Sequence, residues 1–248
     1  MTERAEAPRS IAPVGIADLE RARLPAAFFA DDAVTVAKKL LGCALVHRDR
    51  AGIIVETEAY LGPKDLASHA RFGPTPRNSV MFGPGGVSYV YLCYGVHEMF
   101  NIVTGAPGQG QAVLIRAVAP YVGLPDDASL GRGPGKVTQA LRLDRRHDRR
   151  DLARGELFVA AALAPPRIAR GPRVGVAYAG AWADKPLRFW WRDHAAVSRT
   201  PGGAAPGNPR NVRAPGTPRN VRAPGNSRNA RAPGNPRNVR VSRRRARP

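Results

Sequence analysis

The chain has 248 residues, of which 43% are hydrophobic, so it can bury the core of one large domain or of two small ones. Its formal net charge is +20, and the 12 Arg from Pro201 onward, with no Lys, Asp or Glu, leave 27 basic and 19 acidic residues, or +8, in the rest. A basic body favours a polyanionic partner, most commonly nucleic acid; a membrane surface is the alternative, but no basic amphipathic helix supports it.

The two cysteines, Cys43 and Cys93, lie in apolar runs without CxxC or Cys/His spacing, which argues against a zinc site or a disulfide framework. They are expected to be small buried thiols in a reducing compartment. The start, MTERAEAPRS, lacks the apolar core of a secretory signal, and no apolar run reaches the roughly 18 residues of a membrane span. We therefore expect a cytoplasmic protein.

The first elements read as helix and then hairpin. Residues 1–28 are rich in Ala, Pro and Arg and are expected to be a poorly ordered lead-in with a short helix near Ile16–Arg23. Ala33–Leu41 has an apolar stripe and predicts a helix, which Asp31 or Asp32 can cap. Cys43–His47 then predicts a strand that forms a hairpin with the next one.

The run Gly52–Tyr60, GIIVETEAY, predicts a buried strand that carries two carboxylates. Because strand side chains alternate, Glu56, Glu58 and Tyr60 lie on one face. A carboxylate beside apolar β-branched residues is costly unless it is hydrogen-bonded or functional, so both glutamates are candidates for chemistry. The other interpretation is a half-exposed edge strand whose glutamates face solvent.

The stretch 61–78 is a loop by composition, and its His69 could fold back over the carboxylate strand. Alternation then predicts a second hairpin, with strands Val87–Tyr94 and Phe100–Thr104. Tyr89 and Tyr91 share a face of its first strand, whereas Tyr94 lies at the turn. These tyrosines either pack in the core or form a platform on which nucleobases stack.

Arg116 interrupts the apolar strand Gln111–Ala119 and therefore needs a carboxylate or phosphate partner. The GPGK run at 133–136 opens a helix that ends at Leu141 and could bind a phosphate, although it is not a Walker A loop. Two short strands are predicted at Leu157–Leu163 and Arg173–Tyr178. The folded region should end near Arg199.

From Pro206 onward a nine-residue unit repeats, beginning PGNPRNVRA and PGTPRNVRA. Each copy carries one small apolar residue and cannot bury a core, so residues 201–248 are predicted to be a disordered basic tail. Two interpretations stay open: a flexible arm that contacts phosphates, or low-complexity sequence without a role.

Several stretches together resemble one family: IVETEAYLGPKDLASHA, TPRNSVMFGPGGVSYVYLCYGVHEMFNIV, AVLIRA, GPGK and RVGVAYAGAWADKPLRF. They are similar to the alkyladenine (3-methyladenine) DNA glycosylases, also called methylpurine-DNA glycosylases, over about Ala33–Arg199. The resemblance implies a single α+β domain at 29–200, with a curved, mainly antiparallel β-sheet flanked by helices.

The resemblance also implies a DNA-repair activity. A monomer without metal or cofactor would flip alkylated or deaminated purines out of double-stranded DNA and hydrolyse their N-glycosidic bonds, leaving an abasic site. The implied substrates are 3-methyladenine, 7-methylguanine, hypoxanthine and ethenoadenine. The family's general base falls on Glu58, and the arginine that helps hold the attacking water falls on Arg116. Glu56 matches a family glutamate without an assigned catalytic role.

The implied substrate-binding residues lie on both hairpins and the loop between them. The side chains that stack on the purine fall on Tyr60, His69 and Tyr91. The asparagine that discriminates against normal guanine falls on Asn101. The tyrosine that enters the duplex in place of the flipped nucleotide falls on Tyr94.

Two other functions are compatible with parts of the sequence. One is a non-enzymatic nucleic-acid-binding protein on the same fold, although a pure binder gains nothing from an acidic residue that faces DNA. The other is a carbohydrate hydrolase that uses Glu56 and Glu58. Carboxylates that point the same way from one strand cannot flank a bond from two sides, so this function ranks last.

Overall fold

A computed structural model describes residues 14–163 and 167–198, so the predicted C-terminal tail lies outside the described residues. Within these ranges the chain forms an α+β domain whose strands build one curved, antiparallel sheet, as predicted. No helix in the described part is long and apolar enough to cross a membrane. The helices and strands are α1 (Ile16–Arg21), α2 (Ala33–Lys39), β1 (Ala44–His47), β2 (Arg50–Leu61), β3 (Ser88–Cys93), β4 (His97–Thr104), β5 (Gln111–Val122), α3 (Pro134–Ala140), β6 (Leu157–Ala160), β7 (Ile168–Gly171) and β8 (Arg188–Trp191).

The sheet is centred on the long pair β2–β5, and its strand order is β3-β4-β5-β2-β1-β6. On the edge opposite β5, strand β2 changes partner along its length. Residues 50–53 pair with β1, whereas residues 56–58 pair with β8. The β2–β5 register shifts between Ile54 and Thr57, where this change occurs. Such irregularities bend a strand and re-aim its side chains, so the bend lies at the two glutamates.

The predicted first helix and hairpin are present. The Asp32 carboxylate accepts hydrogen bonds from the N–H groups of Val34 and Thr35 and caps α2. Gly42 has a φ of 88°, which only glycine adopts without strain, and its N–H donates to the Ile54 carbonyl at 2.9 Å. The chain can therefore leave the helix and enter β1 directly beside β2.

Part of the N-terminal lead-in packs on the sheet. The predicted short helix is α1, and its Leu19 is buried among side chains of β1, β2 and β6. The N–H of Leu24 donates to the Val159 carbonyl at 2.8 Å. The structure therefore holds the chain against β6 from α1 onward, whereas residues 1–13 lie outside the described part.

Hydrophobic clusters cover β2 on both faces. Ile54 packs in one cluster with α2 and α3, whereas Ile53 and Val55 pack in the other with α1. Water is therefore excluded from both sides of the strand, and the glutamates that follow must find partners within the protein.

The predicted strand at Arg173–Tyr178 is wrong. The strand in this region is β7, five residues earlier, and Ala177–Trp182 forms 3-10 turns. Gly175 has a φ of 76°, which interrupts the extended backbone. The N–H of Val174 donates to the Glu58 carboxylate and not to a neighbouring strand. The predicted strand from Leu157 is present but ends at Ala160.

A buried ion pair fixes this irregular segment. The side chains of Asp65 and Arg173 are both 0% exposed, and they form two hydrogen bonds of 2.5 and 2.8 Å. Asp65 also accepts from the N–H groups of Leu61 and Ala67, and Arg173 donates to the Ala59 carbonyl. The pair thus joins the end of β2 to the residue before Val174.

We expect Asp65→Asn to lower the free energy of unfolding by about 3–5 kcal/mol, because it leaves a buried guanidinium without its counter-charge. The control is Asp31→Asn, which breaks a half-exposed pair with Lys39 and should cost less than about 1 kcal/mol. Urea denaturation of the three proteins measures the difference. Equal losses in the two variants would contradict the prediction.

Candidate active site

A cavity of about 770 Å³ opens where β2, the β3–β4 hairpin, β5 and the segment after β7 meet. Its volume is in the range that small-molecule sites occupy. The structure brings seven candidate residues of the sequence analysis to its wall: Glu58, Tyr60, His69, Tyr91, Tyr94, Asn101 and Arg116. Glu56 is not among the lining residues.

The Glu58 carboxylate is fully buried and held from three directions. It accepts from the Val174 N–H at 2.8 Å and from the Tyr60 hydroxyl at 3.0 Å. The Arg116 Nη1 lies 3.5 Å from its Oε1. Burial raises the pKa of Glu58 above its usual value, and the nearby Arg116 charge opposes that rise. The result is a carboxylate that is more basic than usual and that can accept a proton.

The Glu56 carboxylate has a different set of hydrogen-bond partners. It accepts from Arg116 Nε at 3.1 Å, Arg188 Nη1 at 3.2 Å, and the Ser198 N–H and hydroxyl at 2.7 and 3.0 Å. Arg116 therefore bridges both glutamates, which supplies the carboxylate partner that its place in an apolar strand requires. Glu56 is thus bound within the protein and does not line the cavity, whereas Glu58 does.

Aromatic rings form one side of the cavity. The rings of His69 and Tyr91 lie 4.6 Å apart, and the His69 Nδ1 is 2.9 Å from the Tyr89 hydroxyl. Tyr89 is only 2% exposed and belongs to the core, whereas Tyr91 and Tyr60 are partly open to the cavity. The core interpretation therefore applies to Tyr89, whereas the stacking platform stays a prediction for Tyr91.

His69 adds an uncharged ring to this side. Burial, assisted by the Arg77 charge, lowers the pKa of His69 to about 4. The imidazole is therefore neutral at physiological pH. A neutral ring beside Tyr91 offers a flat apolar surface, on which a planar heteroaromatic group can stack.

Tyr94 projects from the tip of the β3–β4 hairpin and is 90% exposed. It has a φ of 49° and Gly95 a φ of 74°, and the Val96 N–H donates to the Cys93 carbonyl at 3.1 Å. Positive φ at both central residues is typical of a type I′ turn, in which a bulky residue is unusual. A strained, exposed aromatic side chain at the mouth of a cavity points to a contact with a ligand.

Asn101 is fixed by its own hairpin. It is 4% exposed, and its Nδ2 donates to the carbonyls of Tyr89 and Met99 at 3.1 and 3.4 Å. The amide is held in one orientation in the cavity wall. A ligand that enters the cavity therefore meets a rigid polar group at this position.

Three residues of the site were not found from the sequence. Val174 acts through its backbone N–H, for which no residue type is diagnostic. Ser198 and Arg188 reach Glu56 across more than 130 residues of chain. Of the three, only Arg188 could have been found from its sequence context, since an arginine among the apolar residues of PLRFWW needs an acidic partner. Within the described residues, no group of three or more His, Cys, Asp or Glu side chains could hold a metal ion.

Comparison with known proteins gives consistent matches over the whole domain. A protein-family model described as methylpurine-DNA glycosylase matches residues 27–195. A relative from Myxococcus xanthus is 51% identical over 184 residues, which cover 72% of this chain and 94% of the relative. One from Methanoculleus marisnigri is 48% identical over 193 residues (71% and 98%), and one from Legionella pneumophila strain Lens is 45% identical over 184 residues (72% and 99%). All three are provisionally named 3-methyladenine DNA glycosylase.

The raised pKa of Glu58 predicts a cost in stability. The folded state binds the Glu58 proton more tightly than the unfolded state does, and this tighter binding stabilises the folded protein at low pH. The stabilisation is fully present below the unfolded pKa and is lost as the pH rises through the folded pKa. We therefore expect Glu58→Gln to be more stable than wild type at pH 7, since each tenfold tightening of proton binding in the folded state corresponds to about 1.4 kcal/mol. The gain should vanish at low pH.

Urea denaturation at a series of pH values measures this difference. Glu20→Gln, on the exposed face of α1, is the control and should change stability little at any pH. A Glu58→Gln protein that is less stable than wild type at pH 7 would show that the ion pair with Arg116 outweighs the cost of burial.

Proposed function

The chain belongs to the methylpurine-DNA glycosylase family, and we propose that it excises alkylated or deaminated purines from duplex DNA by hydrolysis. As a member of that family it is a hydrolase that acts on N-glycosidic bonds in DNA. The proposed substrates are 3-methyladenine, 7-methylguanine, hypoxanthine and ethenoadenine. The observation that carries the proposal is the buried Glu58 carboxylate at the wall of a cavity with aromatic sides.

A purine inside a duplex cannot reach this cavity, so the nucleotide must first be flipped out. Flipping costs a few kcal/mol in lost stacking and pairing, and a side chain that fills the gap offsets part of that cost. Tyr94 is the side chain proposed for this role, because it is exposed at the tip of the hairpin that borders the cavity.

The flipped purine would lie between aromatic rings. Tyr60, His69 and Tyr91 are proposed to stack on its faces, which is a contact that every purine can make. Asn101 is proposed to discriminate against normal guanine, since its amide is fixed in the wall by the Tyr89 and Met99 carbonyls. Stacking supplies affinity in this arrangement, and the polar wall supplies selectivity.

Glu58 is proposed to act as the general base. The oxygen of a water molecule bonds to C1′, the N-glycosidic electron pair leaves with the purine, and the water proton passes to the Glu58 carboxylate. The negative charge of Glu58 also stabilises the positive charge that builds on the deoxyribose. Arg116, whose Nη1 lies 3.5 Å from Glu58, is proposed to help hold the water.

Purines that carry a positive charge or accept a proton leave more easily, so normal purines should react slowly. No lysine is among the described residues that line the cavity. We therefore propose direct hydrolysis to an abasic site by a monofunctional enzyme, and not a Schiff-base route. We further propose that the protein acts as a monomer on DNA in the cytoplasm.

The alternatives explain fewer of the observations. A non-enzymatic DNA-binding protein gives no reason to bury a carboxylate beside the cavity at a cost in free energy. A carbohydrate hydrolase needs a second carboxylate across the bond, but Glu56 lies outside the cavity and is engaged with Arg116, Arg188 and Ser198.

Base release from duplexes that carry one of the four lesions tests the proposed function. We expect release of at least one lesion by the wild type, and a loss of at least about 10²–10⁴-fold in single-turnover rate for Glu58→Gln, with DNA binding retained. Glu20→Gln on α1 is the matched control and should keep the wild-type rate. If no lesion is released, the proposed activity is wrong; if Glu58→Gln keeps its rate, another residue is the base.

A separate prediction concerns Tyr94. We expect Tyr94→Ala to lower the rate of release from a fully paired duplex, because the flipped state loses the side chain that fills the gap. The deficit should shrink when the lesion faces a mismatch, where unpairing costs less. Phe72→Ala, another exposed aromatic residue that does not line the cavity, is the control. An equal deficit in both duplexes would point to a folding defect.

A further inference from the structure

Two further grooves lie near the active-site cavity, and the larger one is lined by arginines. His97 lines both that cavity and a smaller groove of about 250 Å³ next to the Tyr94 turn. Arg142 and Arg146 line both this smaller groove and a larger one of about 640 Å³. We call the larger one the arginine groove; its arginines are Arg48, Arg50, Arg142, Arg146, Arg150 and Arg154.

The arginine groove has a surplus of positive charge. Its six arginines stand against three acidic lining residues, Asp49, Asp151 and Glu156. Three of the arginines are paired with carboxylates at the rim: Arg48 with Glu156, Arg146 with Asp144, and Arg154 with Asp151. These pairs include two of the three acidic lining residues, Asp151 and Glu156, and they leave the guanidinium groups of Arg50, Arg142 and Arg150 outside any salt bridge among the described residues.

The remaining guanidinium groups have no carboxylate partner among the described residues. Arg150 donates twice to the Arg146 carbonyl, at 3.1 and 2.9 Å, which holds its side chain and leaves its charge intact. Arg50 donates to the Ala140 carbonyl, and its buried Nε has no hydrogen-bond partner within the described structure. Arg142 is exposed on a backbone with a φ of 53°, an uncommon conformation for a non-glycine residue.

Several guanidinium groups in one concavity fit a ligand with several phosphate groups. Arginine is the residue that recognises phosphate oxygens with two parallel hydrogen bonds. The groove is joined to the cavity proposed to hold the damaged purine, so the polyphosphate that passes it is the backbone of the same DNA molecule. This step rests on the proposed function, since it assumes that DNA occupies the active site.

We propose that the arginine groove binds the phosphodiester backbone of the duplex beside the damaged purine. Contacts with phosphates carry no sequence information, but they fix the orientation of a protein on the duplex. Backbone held along the groove would keep the Tyr94 turn facing the base stack while the protein samples undamaged DNA. The groove is thus a surface for search and alignment, and it is separate from the catalytic residues.

The test compares two double variants of the full-length chain. Arg142→Gln/Arg150→Gln removes two charges from the groove. Arg167→Gln/Arg170→Gln removes two exposed charges at β7, outside the three concavities, and is the matched control. Affinity for an undamaged duplex is measured by fluorescence anisotropy over a fourfold range of salt, after equal melting temperatures have been verified.

Two lost phosphate contacts reduce the log–log salt slope by about 1.8. Over a fourfold rise in salt, the fold-loss of affinity should be about 12 times smaller for the groove variant than for wild type and the control variant. Equal slopes for all three proteins would overturn the proposal. Unchanged DNA slopes, together with loss of binding to inorganic phosphate or to a mononucleotide in the groove variant, would also overturn it and assign the groove to a free phosphate ligand.

Failure of this inference can be told apart from failure of the proposed function. Binding to undamaged duplex involves no excision. Equal salt slopes together with intact base release would contradict the role of the groove but support the proposed enzyme activity. A reduced salt slope without release of any lesion would support the role of the groove but contradict the proposed enzyme activity.

Discussion

The Glu58 carboxylate lies on a strand whose residues Ile53, Ile54 and Val55 pack in hydrophobic clusters on both faces. Glu58 is fully buried at the cavity wall, and its charge is stabilised by fixed groups of the protein. Two irregular features of the sheet provide these groups. A shift in register bends β2 where it changes partner from β1 to β8, and the irregular segment after β7 supplies the Val174 N–H. Regular strands could not offer that donor, because their N–H groups are used in the sheet.

Arg116 makes the two glutamates interdependent. Its guanidinium contacts Glu56 through Nε and approaches Glu58 through Nη1, so one cation serves two buried anions. Arg188 and Ser198 complete the partners of Glu56 and leave the other end of Arg116 directed toward the cavity. Glu56 therefore orients Arg116 without lining the cavity, so two glutamates that are both fully buried on one strand have different surroundings.

Local patterns in the sequence predicted the hairpins, the capped helix, the burial of the glutamates and the position of Tyr94 at a turn. These features follow from alternation, capping and turn residues, which act over a few positions. The sequence did not predict the irregular course at Arg173–Tyr178, where Gly175 and a long-range bond to Glu58 override an alternating pattern. It also missed Ser198, since a serine near the end of a domain has no distinguishing neighbours. The individual roles of the site residues stay predictions.

The bond between Ser198 and Glu56 has a consequence for how the protein is made. The two residues are 142 positions apart, and Ser198 is the last residue that the structure describes. On the ribosome, β2 and most of the sheet emerge well before Ser198 can reach Glu56. A nascent chain therefore carries an incompletely paired carboxylate at its centre until the end of the domain is released. A contact across 142 residues carries a large loop-closure cost, and it can form only after the end of the domain has emerged.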